Sequence, residues 1–223
     1  MDDFDSIGSS SHFPMISHSD KKCKKRYWLP SIAVGETMTE FIILPGIGGS
    51  GMTHWQTLWE ERQQSMRRFL PTDWDHPTLG DWMAALERAI ADASEPPLLV
   101  AHSLACLLVA HWSRHSSRKV AGAFLVTVPD PEGGIFPHEA QEFRNVPREK
   151  FDFPSLVVAS SDDPYASLDY CRKRAEEWGS VLIDAGPLGH INGQSGIGNW
   201  ESGFALLTAF AVDCRSEREL GGK

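Results

Sequence analysis

From residue 41 onward, short apolar runs alternate with stretches in which apolar positions recur at helical spacing; before that point neither pattern is present. The runs at 41–45, 69–71, 97–101, 123–128, 155–159 and 181–183 predict strands. Between them, 54–68, 104–115, 168–178 and 201–211 predict helices. A further helix is expected after Asp81, a suitable N-cap, which would set Trp82, Ala85, Leu86, Ala89 and Ile90 on one face. The strands are apolar throughout rather than alternating with polar residues. Buried on both faces and separated by helices, such strands build a parallel sheet with helices on either side. Ligands in these folds bind beyond the carboxyl ends of the strands, so the residues just after each strand carry the functional question.

The first 37 residues have a different texture. Ser6, Ser9, Ser10, Ser11, Ser17 and Ser19 precede a basic run from Lys21 to Arg26, with no hydrophobic periodicity. This composition predicts a poorly ordered tail (1–37) ahead of a single domain (38–223). Met38, three residues before the first strand, offers an alternative start. A chain of 223 residues with 41% hydrophobic and 23% charged residues has enough apolar surface for one substantial core. Its net charge of −9 argues against nucleic acid as a partner, because phosphate binding needs clustered positive charge. No apolar run approaches the ~18 residues of a membrane span. Asp2, Asp3 and Asp5 stand where a secretory signal would carry positive charge. Cys23, Cys106, Cys171 and Cys214 form no C-x-x-C pair, and the expected setting is reducing and cytoplasmic.

Three strand ends carry suggestive chemistry. Ala101-His102-Ser103-Leu104-Ala105 joins a strand directly to a helix, with small residues two before and two after the serine. That is the pattern of a nucleophile elbow, although both flanks are alanine where glycine is usual. By itself, a serine there could equally be a helix cap. Asp162 and Asp163 follow the 155–159 strand, where a carboxylate could orient an imidazole or simply start a turn before Pro164. His190 lies in the glycine-rich loop beyond the last strand. The order Ser103, Asp163, His190, each after its own strand, is that of acyl-transfer enzymes built on such sheets.

Several stretches together resemble a known family. They are Leu44-Pro45-Gly46 with His54-Trp55-Gln56, the Ala101-His102-Ser103 elbow, Ala159-Ser160-Ser161-Asp162-Asp163-Pro164-Tyr165, and Gly189-His190-Ile191-Asn192 with Ser195-Gly196 and Gly198-Asn199-Trp200. The chain resembles the small α/β-hydrolases that include retinoblastoma-binding protein nine and its bacterial serine-hydrolase relatives. The resemblance implies a compact α/β-hydrolase fold of about six mostly parallel strands with little or no lid. It also implies Ser103 as nucleophile, Asp163 as acid and His190 as base, with Asp162 in reserve. The expected reaction is carboxylesterase-type cleavage of small acyl substrates, with oxyanion donors at the Leu104 amide and at Ile47, Gly46 being the neighbouring candidate. A hydrolase-fold binding or scaffold protein is the competing reading, kept open by the alanine flanks.

No cofactor or metal is expected. Gly46 to Gly51 lacks the Lys-Ser/Thr of a phosphate loop, and Trp112 replaces the glutamate that a zinc helix would carry between His111 and His115. A retinoblastoma-type partner is not expected either, because Leu104-Ala105-Cys106-Leu107-Leu108 lacks the acid of a Leu-x-Cys-x-Glu peptide. The long connection 129–150 is expected to form part of the pocket rim, with Phe136, Phe143 and Phe151 making an apolar acyl site, and Trp55 to stand near substrate.

Overall fold

The computed structural model describes residues 39–221. The expected tail, its basic run, Cys23 and the alternative start at Met38 lie outside the described residues.

Six parallel strands form one sheet: β1 (Phe41–Leu44), β2 (Met66–Arg68), β3 (Leu98–His102), β4 (Gly122–Val126), β5 (Ser155–Ala159) and β6 (Val181–Asp184). Their order across the sheet is β2-β1-β3-β4-β5-β6. Five helices cover it: α1 (Trp55–Arg62), α2 (Leu79–Ala91), α3 (Leu104–His115), α4 (Leu168–Trp178) and α5 (Glu201–Gly221). The apolar strands follow directly from this layering. In β1, Ile42 and Leu44 enter one core with Trp82, Leu104 and Phe136, while Phe41 and Ile43 enter the opposite core with Trp55, Phe124 and Trp200. Side chains alternate across a strand, so a sheet packed on both faces needs apolar residues at every position. Burying each Leu, Ile, Val or Phe contributes about 1.5–3 kcal/mol.

The strand order reverses between β1 and β3. Chain leaving β1 turns one way and chain leaving β3 turns the other, which opens a crevice above their carboxyl ends. Leu44 pairs with Ala101 at that end of the ladder.

Several elements depart from expectation. The first helix stops at Arg62 rather than 68, and the next strand is Met66–Arg68, not 69–71. β2 lies at the sheet edge, where half-buried arginines are tolerated, so it lacks the apolar signature of the central strands. α2 begins after Thr78, whose hydroxyl accepts from the Asp81 amide, so Asp81 is not the cap. The Asp81 carboxylate instead accepts from the Thr72 amide and hydroxyl at 2.7 and 2.8 Å. α5 runs ten residues beyond its expected end at 211. In contrast, α3, α4 and β5 occupy their expected ranges; α4 is capped by Ser167 and stopped by Gly179 at φ 68°.

The connection 129–150 contains one short 3-10 helix, His138–Phe143. Glu142 accepts from the Leu79 amide at 2.7 Å, and the buried His111 ring donates to the Phe143 carbonyl at 3.3 Å, tying the segment to α2 and α3. Only Phe136 of its expected aromatics reaches the cavity described below. Phe143 is buried against Trp82, and Phe151 packs on Trp178. No helix among the described residues is long and apolar enough to cross a membrane.

Candidate active site

Ser103 stands between β3 and α3 with φ 55° and ψ −125°, a conformation that L-residues adopt only under constraint. The constraint is visible. Its amide donates to the Val126 carbonyl on β4, and its carbonyl accepts from the Cys106 amide in the first turn of α3, both at 2.9 Å. The fully buried Ala101 and Ala105 fit beside this turn, so alanine flanks are compatible with the sharp elbow. Gly46 passes close by: a Cβ there would come within 3.0 Å of the Ser103 Cβ and 3.2 Å of the His102 carbonyl oxygen. The loop after β1 can therefore lie against the elbow only because residue 46 has no side chain.

His190 reaches Ser103 from the loop after β6. Its Nε2 is 2.8 Å from the Ser103 hydroxyl, and its Nδ1 is 2.9 and 3.1 Å from the two Asp163 carboxylate oxygens. A carboxylate can only accept, so Nδ1 carries the proton and Nε2 is left to accept from the serine. The Asp163 side chain is 1% exposed and also accepts from the Tyr165 amide at 3.0 Å. Asp162 points elsewhere: its Oδ1 accepts from the Gly189 amide at 2.7 Å and from the Ser160 hydroxyl at 2.9 Å. Those bonds, the Gly189 one foremost, hold its carboxyl below the usual range. Asp162 fastens the loop that carries His190, while Asp163 meets the ring.

Other buried groups hold this arrangement. The His102 Nε2–H donates to the His190 carbonyl at 2.9 Å, linking the residue before the serine to the backbone of the imidazole-bearing loop. The Trp55 indole donates to the Ile191 carbonyl at 2.8 Å; fully buried and absent from the cavity wall, Trp55 belongs to the core. Gln56, also fully buried, donates through one amide nitrogen to the carbonyls of Leu44 and Val100, near the carboxyl ends of β1 and β3, and accepts from the Ser50 hydroxyl at 2.7 Å. It thus sets the spacing of the two loops that flank the crevice. Arg68, ion-paired with Glu60, bonds to the carbonyls of Gly49 and Ser50 behind the same loop. None of these roles stood out in the sequence. Their signal was the short His54-Trp55-Gln56 string, which suggested kinship without assigning a job.

The cavity above Ser103 has a volume of about 420 Å³. Ile47 and Leu104 border it, and neither amide donates to an acceptor among the described residues. A hydroxyl bonded to an imidazole that a carboxylate orients, next to one unpaired amide at a helix start and another in the loop after β1, is equipped to attack a carbonyl and to receive the resulting oxyanion.

Two further histidines border the cavity, and burial keeps both neutral. His54 caps α1 by accepting the Gln56 amide on Nδ1; burial, then the Arg68 charge, then His190 lower its pKa from 6.5 to about 3. His102 is pushed well below 6.5 by burial first and then by its histidine neighbours. With folded values below the unfolded one, the unfolded chain takes up protons first as pH falls. Their contribution to stability is complete above about pH 6.5 and is lost on acidification. Between pH 7 and pH 5, His54 should lower the unfolding free energy by about 2 kcal/mol, and His102 should act in the same direction. Urea unfolding at the two pH values checks this: the loss should shrink in His54→Gln and in His102→Gln, and an unchanged loss would assign it to other groups.

Residues 41–209 match the family profile described as serine hydrolase. Among solved structures, a YdeN-like hydrolase from Pectobacterium atrosepticum is 28% identical, covers 79% of this chain and 92% of its own, and superposes with a TM-score of 0.71. The ydeN gene product of B. subtilis is 21% identical over 78% of this chain and 98% of its own, with a TM-score of 0.62. Est1E from Butyrivibrio proteoclasticus shares the fold at 11% identity, covering 82% of this chain and 90% of its own, with a TM-score of 0.62. No curated protein matches the sequence.

Proposed function

The chain belongs to the serine hydrolase family, and from that premise we propose that it cleaves small acyl esters, as a carboxylesterase does, through Ser103, His190 and Asp163. The observation that carries this reading is the unbroken hydrogen-bonded chain from the Ser103 hydroxyl through His190 to the buried Asp163. In the proposed cycle His190 Nε2 takes the serine proton as Oγ attacks the acyl carbonyl, and Asp163 holds the proton on Nδ1 and steadies the imidazolium. The Leu104 and Ile47 amides receive the oxyanion, each donor lowering the barrier by about 3 kcal/mol. His190 then returns the proton to the leaving group, and an acyl-enzyme remains on Ser103. Water, deprotonated by the same imidazole, releases the acid. The free, buried thiols of Cys106, Cys171 and Cys214 favour a reducing, cytoplasmic setting.

Labelling with a fluorophosphonate probe tests the reading. Peptide mass mapping should find the probe on Ser103 alone. A folded protein that takes up no probe would reject acyl transfer and favour a role as a binding module.

A further inference from the structure

The cavity spans the carboxyl edge of the sheet, and its two walls differ in character. On one side Ile47, Leu104, Pro129, Phe136 and Pro137 form an apolar wall, with Ile47, Leu104 and Phe136 continuous with the core that contains Trp82. On the other, Thr53 and His54 at the start of α1 meet Asn192, Gly193 and Gln194. These two segments are in contact, since a Cβ on Gly193 would lie 2.8 Å from the Thr53 hydroxyl oxygen. None of the lining residues is Asp, Glu, Lys or Arg, although such residues make up 23% of the chain. Arg68 lies behind the glycine loop, paired with Glu60, and Asp163 is enclosed beneath His190. Besides His190 and the Tyr165 phenol, His54 and His102 are the ionisable side chains on the wall, and burial holds these two histidines neutral.

Resting on the hydrolase reading above, we infer that this site selects uncharged substrates: a short apolar acyl group joined to a neutral leaving group that forms hydrogen bonds. The orientation follows from the proton path. The leaving oxygen must come within reach of His190 Nε2 to receive the proton, so the leaving group lies on the side of the His190 loop, against Thr53, His54, Asn192 and Gln194. The acyl chain is left with the Ile47–Phe136 side. A hydrogen-bonding leaving group also suits His54. With Nδ1 accepting from Gln56, the neutral ring carries its proton on Nε2, and that buried donor has no acceptor among the described residues. A charged substituent would lose its hydration on entry and find no counter-charge.

Two isosteric pairs test the inference: acetylcholine against 3,3-dimethylbutyl acetate, and 3-acetoxybenzoate against 3-acetoxybenzamide. Each kcat/KM is divided by the rate constant for hydroxide hydrolysis of the same ester. The charged member of each pair should fall at least about 100-fold below its neutral partner. Gln194→Glu, a change on the exposed rim of the leaving-group side, should narrow the acetylcholine gap about fivefold and widen the benzoate gap. Charged and neutral esters cleaved within threefold of one another, with all turnover lost in Ser103→Ala, would overturn the inference alone. Turnover that Ser103→Ala leaves within about tenfold of the parent would overturn the Ser103-based hydrolase reading and this inference with it.

Discussion

Ser103→Ala should lower kcat by about a million-fold and abolish fluorophosphonate labelling while leaving the circular dichroism spectrum unchanged. The hydroxyl is the only oxygen within reach of His190 Nε2 among the described residues, so its removal ends covalent catalysis instead of weakening it. Alanine tolerates the space, because the adjoining Ala101 and Ala105 already fit the turn. His190→Ala should cost about as much as Ser103→Ala, and the double variant no more than either, because each single change disables the same step. A double variant clearly slower than both singles would mean that the two side chains act independently, contrary to the shared proton transfer. The activity left in all three would come from the Ile47 and Leu104 amides and from binding.

Asp163→Asn should lower kcat by about 10⁴-fold with KM little changed, whereas Asp162→Asn should cost less than about tenfold. Asparagine retains the shape of aspartate but turns one acceptor into a donor. Asp163 Oδ1 already receives the Tyr165 amide, so the new NH₂ falls at the Oδ2 position, 3.1 Å from His190 Nδ1. The Nδ1 proton, which lies 2.9 Å from Oδ1 and 3.1 Å from Oδ2 of the carboxylate, would keep the one oxygen, already taken by the Tyr165 amide, and meet a donor at the other position. The ring relieves this by moving its proton to Nε2, where it can no longer accept from Ser103. Asp162 has no contact with the ring, and its loss loosens the Gly189 amide and the Ser160 hydroxyl instead. Steady-state kinetics on one activated ester separates the two carboxylates. Equal losses in both variants would assign the orienting role to the loop as a whole.

The central strands were legible in the sequence, and with them the strand ends at which Ser103, the Asp162–Asp163 pair and His190 stand. Strands buried on both faces must be apolar throughout, and in such sheets reactive groups follow strand ends. β2 escaped because an edge strand carries half-buried arginines, one of which, Arg68, serves the glycine loop. The start of α2 was hidden by Gly80, a poor helix former two residues after the Thr78 cap. The neighbouring carboxylates could not be separated by composition, since the distinction between them lies in the direction each side chain takes from a tight turn. Gln56 and His102 were invisible as tethers because their partners are backbone carbonyls 44 and 88 residues away. Such pairings depend on tertiary structure and leave no local pattern.

The segment between β4 and β5 contributes Pro129, Phe136 and Pro137 to the cavity wall, yet it contains none of Ser103, Asp163, His190, Ile47 and Leu104. Part of the cavity wall is thus encoded apart from the loops that carry Ser103, Asp163 and His190. Insertions, deletions or exchanges within this segment can change what enters while the proton path stays intact. For evolution and for directed engineering alike, such modularity makes new specificities accessible in small steps, each starting from a working enzyme.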